Sequence, residues 1–217
     1  FLMTQDITLT SEWTPIAAGT RSGSGYKPNN SGAAFKGTFN GGGKTISGLK
    51  ITSGSGDEAI GLFGVVDGGT VERLTLTNVS IDSDSECVAG AIGLMVNGGT
   101  ADQITVGAAS GDSSSITAAR GNGGIVGRMT ISGTISNCIN YATIVGENSG
   151  GNTGGIVGAA YYTGDGKEMF IDDCKNYGAV TGIYGVGGIV GLCAANASGC
   201  TNEGEVTGSA ASIGGIV

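Results

Sequence analysis

The sequence predicts an all-β fold in which the chain winds as a parallel β-solenoid of about six coils, with a period of about 31 residues. Two observations predict the winding: a glycine-rich motif recurs at nearly constant spacing, and the segments between its copies are short and rich in Ile, Val and Thr. A third is that 45 of the 217 residues are Gly, where about 7% is usual. Repeats of about 20–50 residues are typical of solenoids, whose units bury their apolar side only against their neighbours.

The repeated motif is Gly-Gly-Ile-Val-Gly, which occurs in full at positions 123–127, 154–158 and 187–191. Looser copies start at positions 60 and 89, and a shortened copy starts at position 214. The nearly even spacing of these six starting positions sets the period. A second element, Cys-x-Asn-x-small-x-aliphatic, follows three of the copies and begins at Cys138, Cys174 and Cys200.

Short strands fit these segments better than helices do. The segments are four to seven residues long and bounded by Gly, which costs about 1 kcal/mol relative to Ala inside a helix. Each coil should hold two or three strands of about five residues, and the strands of successive coils should stack about 4.8 Å apart. Equivalent residues then form columns, which we predict to be Ile125, Ile156 and Ile189; Cys138, Cys174 and Cys200; and Asn140, Asn176 and Asn202.

The paired glycines of the motif are expected to form the corners of each coil. Glycine adopts positive φ without steric cost and lets two backbones approach closely. Both properties suit a chain that must turn sharply several times in each coil. The Asn column is expected at such a bend, because stacked Asn amides can hydrogen-bond along the axis.

Residues 1–58 are predicted to form an N-terminal cap or first coil, and residues 59–217 one continuous solenoid. The first segment lacks the full motif and contains the only Trp and both Pro. Solenoids require atypical terminal units, and Trp13 and Phe35 are candidates to cover the first coil. Between positions 35 and 46, an Asn-Gly pair predicts a strand–turn–strand arrangement like a β-hairpin.

Charge and composition argue against several classes of function. Ten Lys and Arg against 18 Asp and Glu give a net charge of −8, which disfavours binding to nucleic acid. The absence of His removes Ser-His-Asp and Cys-His catalysis and His-based zinc sites. Because no run of about 18 apolar residues occurs, we expect no membrane span in this fragment. We predict no cofactor, no metal site and no catalytic residue, and we expect both ends to be cut from a longer protein.

Three acidic clusters are the strongest candidates for catalysis or calcium binding. Paired carboxylates can act as acid and base in glycoside cleavage. The clusters fall on different coils, so we predict that they are solvated loop residues, with calcium binding and catalysis as alternatives. The ten basic residues are scattered in sequence and are predicted to form no patch. The clusters are Asp57-Glu58, Asp82-x-Asp84-x-Glu86 and Asp172-Asp173.

The five cysteines are predicted to be buried thiols. Leu74 and Ile104 fill the cysteine column in earlier coils, and a free Cys behaves there as a small apolar residue. A disulfide between stacked neighbours is the alternative, since the spacing of coils lies within the usual Cα separation of a disulfide. The five are Cys87, Cys138, Cys174, Cys193 and Cys200.

Three tyrosines are candidates for contact with a glycan: Tyr141, Tyr177 and Tyr184. Tyr141 and Tyr177 occupy equivalent positions in successive coils, and Tyr184 is placed in a loop. Aromatic faces can stack on sugar rings. A tyrosine column also simply stabilises neighbouring strands, and this interpretation is favoured.

The chain resembles the GLUG repeat family. The segment Gly61-Leu62-Phe63-Gly64 matches the Gly-Leu-apolar-Gly signature of that family, and the Gly-Ile-Val-Gly copies are its usual variants. Upstream, positions 13–16 and 35–46 are similar to the segment that commonly precedes such repeats. The resemblance implies the right-handed parallel β-helix, a hand that the crossover rule for parallel strands also favours. It further implies a large bacterial surface or secreted protein; such repeats accompany IgA-cleaving metallopeptidase domains, but no peptidase domain is recognised in this chain.

These observations lead to one main hypothesis and two alternatives. The first is a non-catalytic extracellular structural or adhesive module of a larger bacterial cell-surface protein. The alternatives are a carbohydrate-active β-helix enzyme, either a polysaccharide lyase or a hydrolase, and a glycan-binding module. The expected partner is a host or environmental glycan or protein, and the sequence leaves the oligomeric state open.

Overall fold

A computed structural model describes residues 1–23, 25–28, 34–161 and 168–217. Within these ranges the chain consists of β-strands joined by turns and bends, and it forms no helix. The strands in chain order are β1 (Ile7–Thr8), β2 (Gly19–Ser22), β3 (Gly25–Pro28), β4 (Thr38–Ser47), β5 (Lys50–Ile51), β6 (Ser55–Ile60), β7 (Phe63–Asp67), β8 (Thr70–Thr77), β9 (Ser80–Ala89), β10 (Ile92–Val96), β11 (Gly99–Val106), β12 (Ser115–Ala118), β13 (Asn122–Gly123), β14 (Val126–Thr130), β15 (Gly133–Ser136), β16 (Ile139–Asn140), β17 (Thr143–Gly146), β18 (Thr153–Gly154), β19 (Val157–Tyr161), β20 (Met169–Asp172), β21 (Lys175–Asn176), β22 (Val180–Gly182), β23 (Val186–Gly187), β24 (Val190–Cys193), β25 (Asn196–Ser198), β26 (Thr201–Asn202), β27 (Val206–Gly208) and β28 (Ile213–Gly214).

The strands form three sheets in which neighbouring strands come from successive turns of the chain. Sheet 1 runs β1-β4-β8-β11-β15-β20-β25, with β16, β21 and β26 beside it. Sheet 2 runs β7-β10-β14-β19-β24. Sheet 3 runs β27-β22-β17-β12-β9-β13-β18-β23-β28 and includes β2, β3, β5 and β6. Apart from the pairings of β2, the described pairings are parallel, which confirms the predicted all-β parallel solenoid.

The register between turns reproduces the spacing of the glycine motif. In sheet 2, successive register partners are Phe63, Ile92, Val126, Val157 and Val190, and each is the fourth residue of a copy of the motif. The differences in turn length are therefore absorbed in the loops between strands. Because the last copy of the motif contributes only β28, the chain forms about five turns, not the six predicted, with the predicted period of about 31 residues.

An apolar interior lies between the three sheets and is built from equivalent residues of successive turns. Ile125, Ile156 and Ile189 stack in one buried column. The backbone N–H of Ile125 donates to the oxygen of Ile156, and that of Ile156 to the oxygen of Ile189, both over 3.0 Å. Ile216 continues this column and is 38% exposed, since no described turn covers it. Each turn is thus shielded from water by its neighbours.

The glycines of the motif lie at the predicted corner, in the bend that joins a strand of sheet 3 to the next strand of sheet 2, but they do not use the expected positive φ. None of the glycines in the three full copies has a positive φ. A Cβ placed at Gly124 would lie 2.5 Å from Cγ of Asn140, and one at Gly127 would lie 2.5 Å from the backbone nitrogen of Val88. These distances leave no room for a side chain, so Gly is needed where the chain packs this closely.

A left-handed bend lies elsewhere, along the strands of sheet 1. Arg73, Gln103, Asn137 and Asp173 have φ between 51° and 54°, and Gly199 has φ of 63°. Their flanking residues are register partners, so the five residues occupy equivalent positions in five successive turns. The left-handed conformation costs a non-glycine residue roughly 1–2 kcal/mol, which the regular pairing on both sides must offset.

The hairpin predicted between positions 35 and 46 does not form. Residues 38–47 are a single strand, β4, which pairs in parallel with β8 on both sides of an irregularity between Asn40 and Lys44. The Asn-Gly-Gly-Gly segment therefore forms a bulge where a reversal was expected. Because β4 and β5 pair with strands of the next turn, this part of the N-terminal segment belongs to the solenoid itself.

A hairpin is formed instead by β2 and β3, in which Arg21 pairs with Tyr26. Tyr26 packs on a second apolar cluster that includes Ala34, Val65 and Leu94. Val65 and Leu94 are register partners in sheet 2 and lie outside the main interior. The N-terminal segment thus covers an outer face of the first turns.

Trp13 and Phe35 pack against the main interior at the first turn. The indole Nε1–H of Trp13 donates to the backbone oxygen of Leu62 over 3.1 Å. The Phe35 ring lies 5.0 Å from the ring of Phe63, measured between centroids. Both aromatic residues therefore pack over the first turn.

Candidate functional site

Three of the four arginines of the chain meet in one polar pocket of about 230 Å³. Arg21 comes from β2 of the N-terminal hairpin, Arg120 from the corner between β12 and β13, and Arg128 from β14. This cluster corrects the expectation that the basic residues form no patch. The arginines are far apart in sequence, and only the docking of the hairpin and the stacking of turns bring them together. The remaining lining residues are Glu86, Gly121, Gly150, Asn152, Ala159 and Tyr161.

Glu86 links two of the three arginines. Its Oε2 accepts a hydrogen bond from Arg21 Nη2 over 2.9 Å, and its Oε1 accepts one from Arg120 Nη1 over 2.8 Å. Each carboxylate oxygen thus has a charged donor, an arrangement stronger than a neutral hydrogen bond. The pair of contacts fixes the N-terminal hairpin to the corner that precedes β13.

Arg128 lines the pocket and packs against an aromatic ring. Its position in β14 corresponds to Leu94 in the preceding turn and Ala159 in the following turn. The guanidinium carbon is 3.9 Å from the centroid of the Tyr161 ring, a cation–π contact. Burial lowers the pKa of the Arg128 guanidinium below its ordinary value. Among the described residues, its buried Nε has no hydrogen-bond partner.

Tyr161 and Asn152 complete the polar wall. Asn152 Nδ2 donates to the Tyr161 hydroxyl over 3.3 Å. Tyr161 ends β19, and its backbone partner in the preceding turn is Thr130, two residues after Arg128. This diagonal placement on one sheet brings the ring over the guanidinium group.

Two further pockets lie near the N-terminal segment. One, of about 270 Å³, is lined by Phe1, Ile16, Phe35, Phe39 and Phe63 and is entirely apolar in its lining residues. The other, also about 270 Å³, lies beside Trp13 and Glu58 and mixes polar with apolar groups. Neither brings together carboxylates and bases in a way that suggests chemistry.

The predicted Asn column forms a buried hydrogen-bonded ladder. Asn140 Nδ2 donates to Asn176 Oδ1, and Asn176 Nδ2 donates to Asn202 Oδ1, each over 2.8 Å. Each amide also donates to the backbone oxygen two residues ahead, that of Ala142, Gly178 or Gly204. Asn140 and Asn176 are fully buried. The hydrogen-bonding groups of these amides are therefore occupied within the fold and are not available to a ligand.

The predicted Cys column contains thiols that contact backbone oxygens. Cys138 and Cys174 are buried and Cys200 is half-buried, and all five cysteines are free thiols. The Cys174 thiol lies 3.8 Å from the oxygen of Ile135, and the Cys200 thiol 3.3 Å from that of Ile171. Hydrogen bonding with the Cys138 thiol, together with burial, raises the pKa of Cys174. A thiol held in its neutral form in this way is a poor nucleophile.

The tyrosine candidates separate into a stacked pair and a single residue. The rings of Tyr141 and Tyr177 are stacked, with centroids 4.9 Å apart and planes inclined by 10°. Tyr184 is 44% exposed and lies in the corner between β22 and β23. Stacking occupies one face of each ring of the pair, so those faces do not meet solvent or a glycan.

The acidic clusters lie on separate parts of the fold, and six of their seven residues lie in strands, not in loops as predicted. Glu86 lies in the arginine pocket, and Asp172 lies in sheet 1 on β20. The side chain of Asp57 lies outside the described residues. Within the described part of the chain, no group of three or more His, Cys, Asp or Glu side chains could hold a metal ion. The same part contains no helix that is long and apolar enough to cross a membrane.

Comparison with known proteins bears on the fold. No protein-family model matches the chain, and no curated protein matches it. Among solved structures, the fold resembles that of a Bacteroides ovatus protein named "putative immunoglobulin A1 protease", with a TM-score of 0.62 and 21% sequence identity. The match covers 93% of this chain and 59% of the other. At this identity the likeness shows a shared fold, and membership of the GLUG family stays an expectation from the Gly61–Gly64 signature.

Proposed function

We propose that this chain is a non-catalytic structural or adhesive module of a larger bacterial protein at the cell surface or in the secreted fraction. The observation that carries the proposal is the uninterrupted stacking of turns. Backbone hydrogen bonds, the isoleucine column and the asparagine ladder all run from turn to turn. Because these contacts join every turn to the next, the solenoid is stiff without a bound ligand. Solenoids of this kind present extended surfaces on which partners can bind.

The extracellular assignment has two supports. The GLUG-like signature is typical of bacterial surface and secreted proteins. The structural neighbour from Bacteroides ovatus is named for a protease of immunoglobulin A1, a substrate found outside bacterial cells. Only 13% of the residues are charged and only ten are Lys or Arg, which is consistent with such a module.

An antibody raised against the purified chain tests the location. On intact cells of the bacterium that makes the protein, we expect labelling without permeabilisation, and loss of labelling after brief treatment of the cells with protease. An antibody against a cytoplasmic protein serves as the control. Labelling that appears only after permeabilisation would contradict the proposal.

An activity screen tests the non-catalytic assignment. The purified chain is incubated with acidic polysaccharides, with and without calcium, and reducing ends and unsaturated products are measured. We expect neither to increase above a heat-denatured control. Product release that scales with the concentration of the chain would instead favour the carbohydrate-active enzyme.

A further inference from the structure

The arginine pocket is a positively charged recess on an acidic protein. Its described lining contains three guanidinium groups and one carboxylate, whereas the chain as a whole carries a net charge of −8. Both oxygens of that carboxylate, on Glu86, are already bound by Arg21 and Arg120. A recess with charge of one sign and low-dielectric walls concentrates counter-ions of the other sign.

Arg128 is the least compensated group in this recess. No described carboxylate lies within ion-pair distance of it, and its main neighbour is the face of the Tyr161 ring. Its Nε is buried and has no acceptor among the described residues. A buried charged donor without an acceptor costs free energy, which an anion bound by the same guanidinium group would offset.

The corresponding position in other turns shows that a charge is not required by the fold. Register places Leu94 before Arg128 and Ala159 after it in sheet 2. Both are apolar and buried, at 0% and 1% exposure. An apolar residue at position 128 would continue this column, so packing alone does not explain why the position holds an arginine.

We infer that this pocket binds the carboxylate of a single acidic sugar unit, with Arg128 and Arg120 as the groups that hold the carboxylate. The planar guanidinium fork matches a carboxylate in two-point hydrogen bonding. The volume of about 230 Å³ is below the range of about 300–1,000 Å³ usual for drug-sized ligands, which favours one sugar unit over an oligosaccharide. The Asn152 amide and the Tyr161 hydroxyl provide hydrogen-bonding groups for sugar hydroxyls.

Ligand binding in this pocket is independent of the structural role proposed above. A stiff module needs no ligand, so failure of the pocket to bind would leave that role intact. Conversely, a cytoplasmic location would contradict the role without removing the pocket.

The four arginines allow a direct test by NMR. Each contributes one side-chain Nε–H signal, and Arg73 is exposed and lies outside the pocket. The full chain is titrated with sodium glucuronate at about 0.15 M salt, where exposed charges are screened beyond about 8 Å. We expect saturable shifts of the Arg128 and Arg120 signals and no shift of the Arg73 signal. Equal movement of all four signals, or of none, would overturn the inference.

Two control ligands define the chemical class. Glucose lacks the carboxylate and should cause no shift at Arg128. Sodium sulfate offers an oxyanion without the sugar ring and should bind at least about tenfold more weakly than glucuronate. Sulfate binding as tight as that of glucuronate would show a general oxyanion site and would overturn the assignment to an acidic sugar.

Variants separate binding from folding. Arg128→Gln should weaken glucuronate binding at least about tenfold, because it removes a charged hydrogen-bonding group from a partly desolvated site. Arg120→Gln should weaken it as well, and since that side chain is 43% exposed the substitution tests the site even if Arg128→Gln does not fold. Arg73→Gln makes the same change of charge outside the pocket and should leave binding unchanged. Unaltered binding in a folded Arg128→Gln or Arg120→Gln variant would contradict the inference.

Discussion

Asn140 donates a hydrogen bond from its Nδ2 to Oδ1 of Asn176 in the next turn, over 2.8 Å, and both side chains are fully buried. Each amide packs directly against a glycine. A Cβ at Gly124 would collide with the amide of Asn140, and a Cβ at Gly155 would collide with the amide of Asn176. Two sequence elements that lie well apart in each repeat therefore depend on one another. The Cys-x-Asn element needs the second glycine of the Gly-Gly-Ile-Val-Gly motif across the coil.

Asn176→Ala should destabilise the chain by about 1–3 kcal/mol, because the buried Asn140 amide loses its acceptor and the backbone oxygen of Gly178 loses its donor. Urea unfolding followed by circular dichroism measures the free energy of unfolding. Asn202→Ala is the matched control: Asn202 ends the ladder and is only half-buried, so water can replace its partners. Equal losses in the two variants would contradict a buried ladder.

Gly155→Ala should destabilise the chain by about 1–3 kcal/mol or more, because its Cβ would overlap the backbone oxygen of Gly188 and the amide of Asn176. Gly215→Ala is a matched control at the same position of the motif. A Cβ at Gly215 meets no atom within 4 Å, so this variant should be neutral or stabilised by about 0.4–1 kcal/mol. Thermal melting of both variants checks the contrast, and similar melting temperatures would refute the role assigned to the glycine.

The spacing of the motif predicted the fold because the register follows it directly. Phe63, Ile92, Val126, Val157 and Val190 hold the same place in five copies of the motif, and they are successive partners in sheet 2. The apolar and amide columns follow from this register alone. The φ angles of the glycines at the corner do not follow from it, because glycine adopts negative and positive φ about equally readily.

The arginine pocket could not be predicted from the periodicity of the sequence. Arg21 lies in a hairpin outside the repeats, and Arg128 occupies a position that is apolar in neighbouring turns. The one available signal was the departure of residue 128 from the apolar pattern that Leu94 and Ala159 follow. Recognising it as part of a site required the fold of the N-terminal segment, which contributes Arg21 through its contact with Glu86.

The thiols of the cysteine column should be unreactive in the folded chain. Hydrogen bonding with the thiol of the preceding turn, together with burial, raises the pKa of Cys174 and of Cys200, so little thiolate forms near neutral pH. We expect slow alkylation of Cys174 by iodoacetamide at about pH 8 in the native state and rapid alkylation in urea, measured by peptide mass spectrometry. In urea without reductant, five thiols should react per chain. Fewer than five would indicate a disulfide between turns.

Acid should destabilise the chain through Asp102. Partial burial acts to raise the pKa of Asp102, but hydrogen bonds from Asn137, Ser136 and Gln103 outweigh it and lower that pKa. Stability from a carboxylate with a lowered folded pKa is present above its unfolded pKa of about 3.9 and is lost as pH falls through the folded value. Asp102→Asn should therefore be less stable than the wild type at pH 7 and lose less stability between about pH 4 and pH 2. Parallel pH profiles of the two proteins would exclude this contribution.

The side-chain amides of the asparagine column provide the most direct measurement of turn-on-turn stacking. In a NOESY spectrum of the ¹⁵N-labelled chain, we expect cross-peaks between the Nδ2 protons of Asn140 and Asn176 and between those of Asn176 and Asn202, since each pair is joined by a hydrogen bond of 2.8 Å. Amide protons that exchange freely with water and show no contact from one turn to the next would contradict the stacked arrangement.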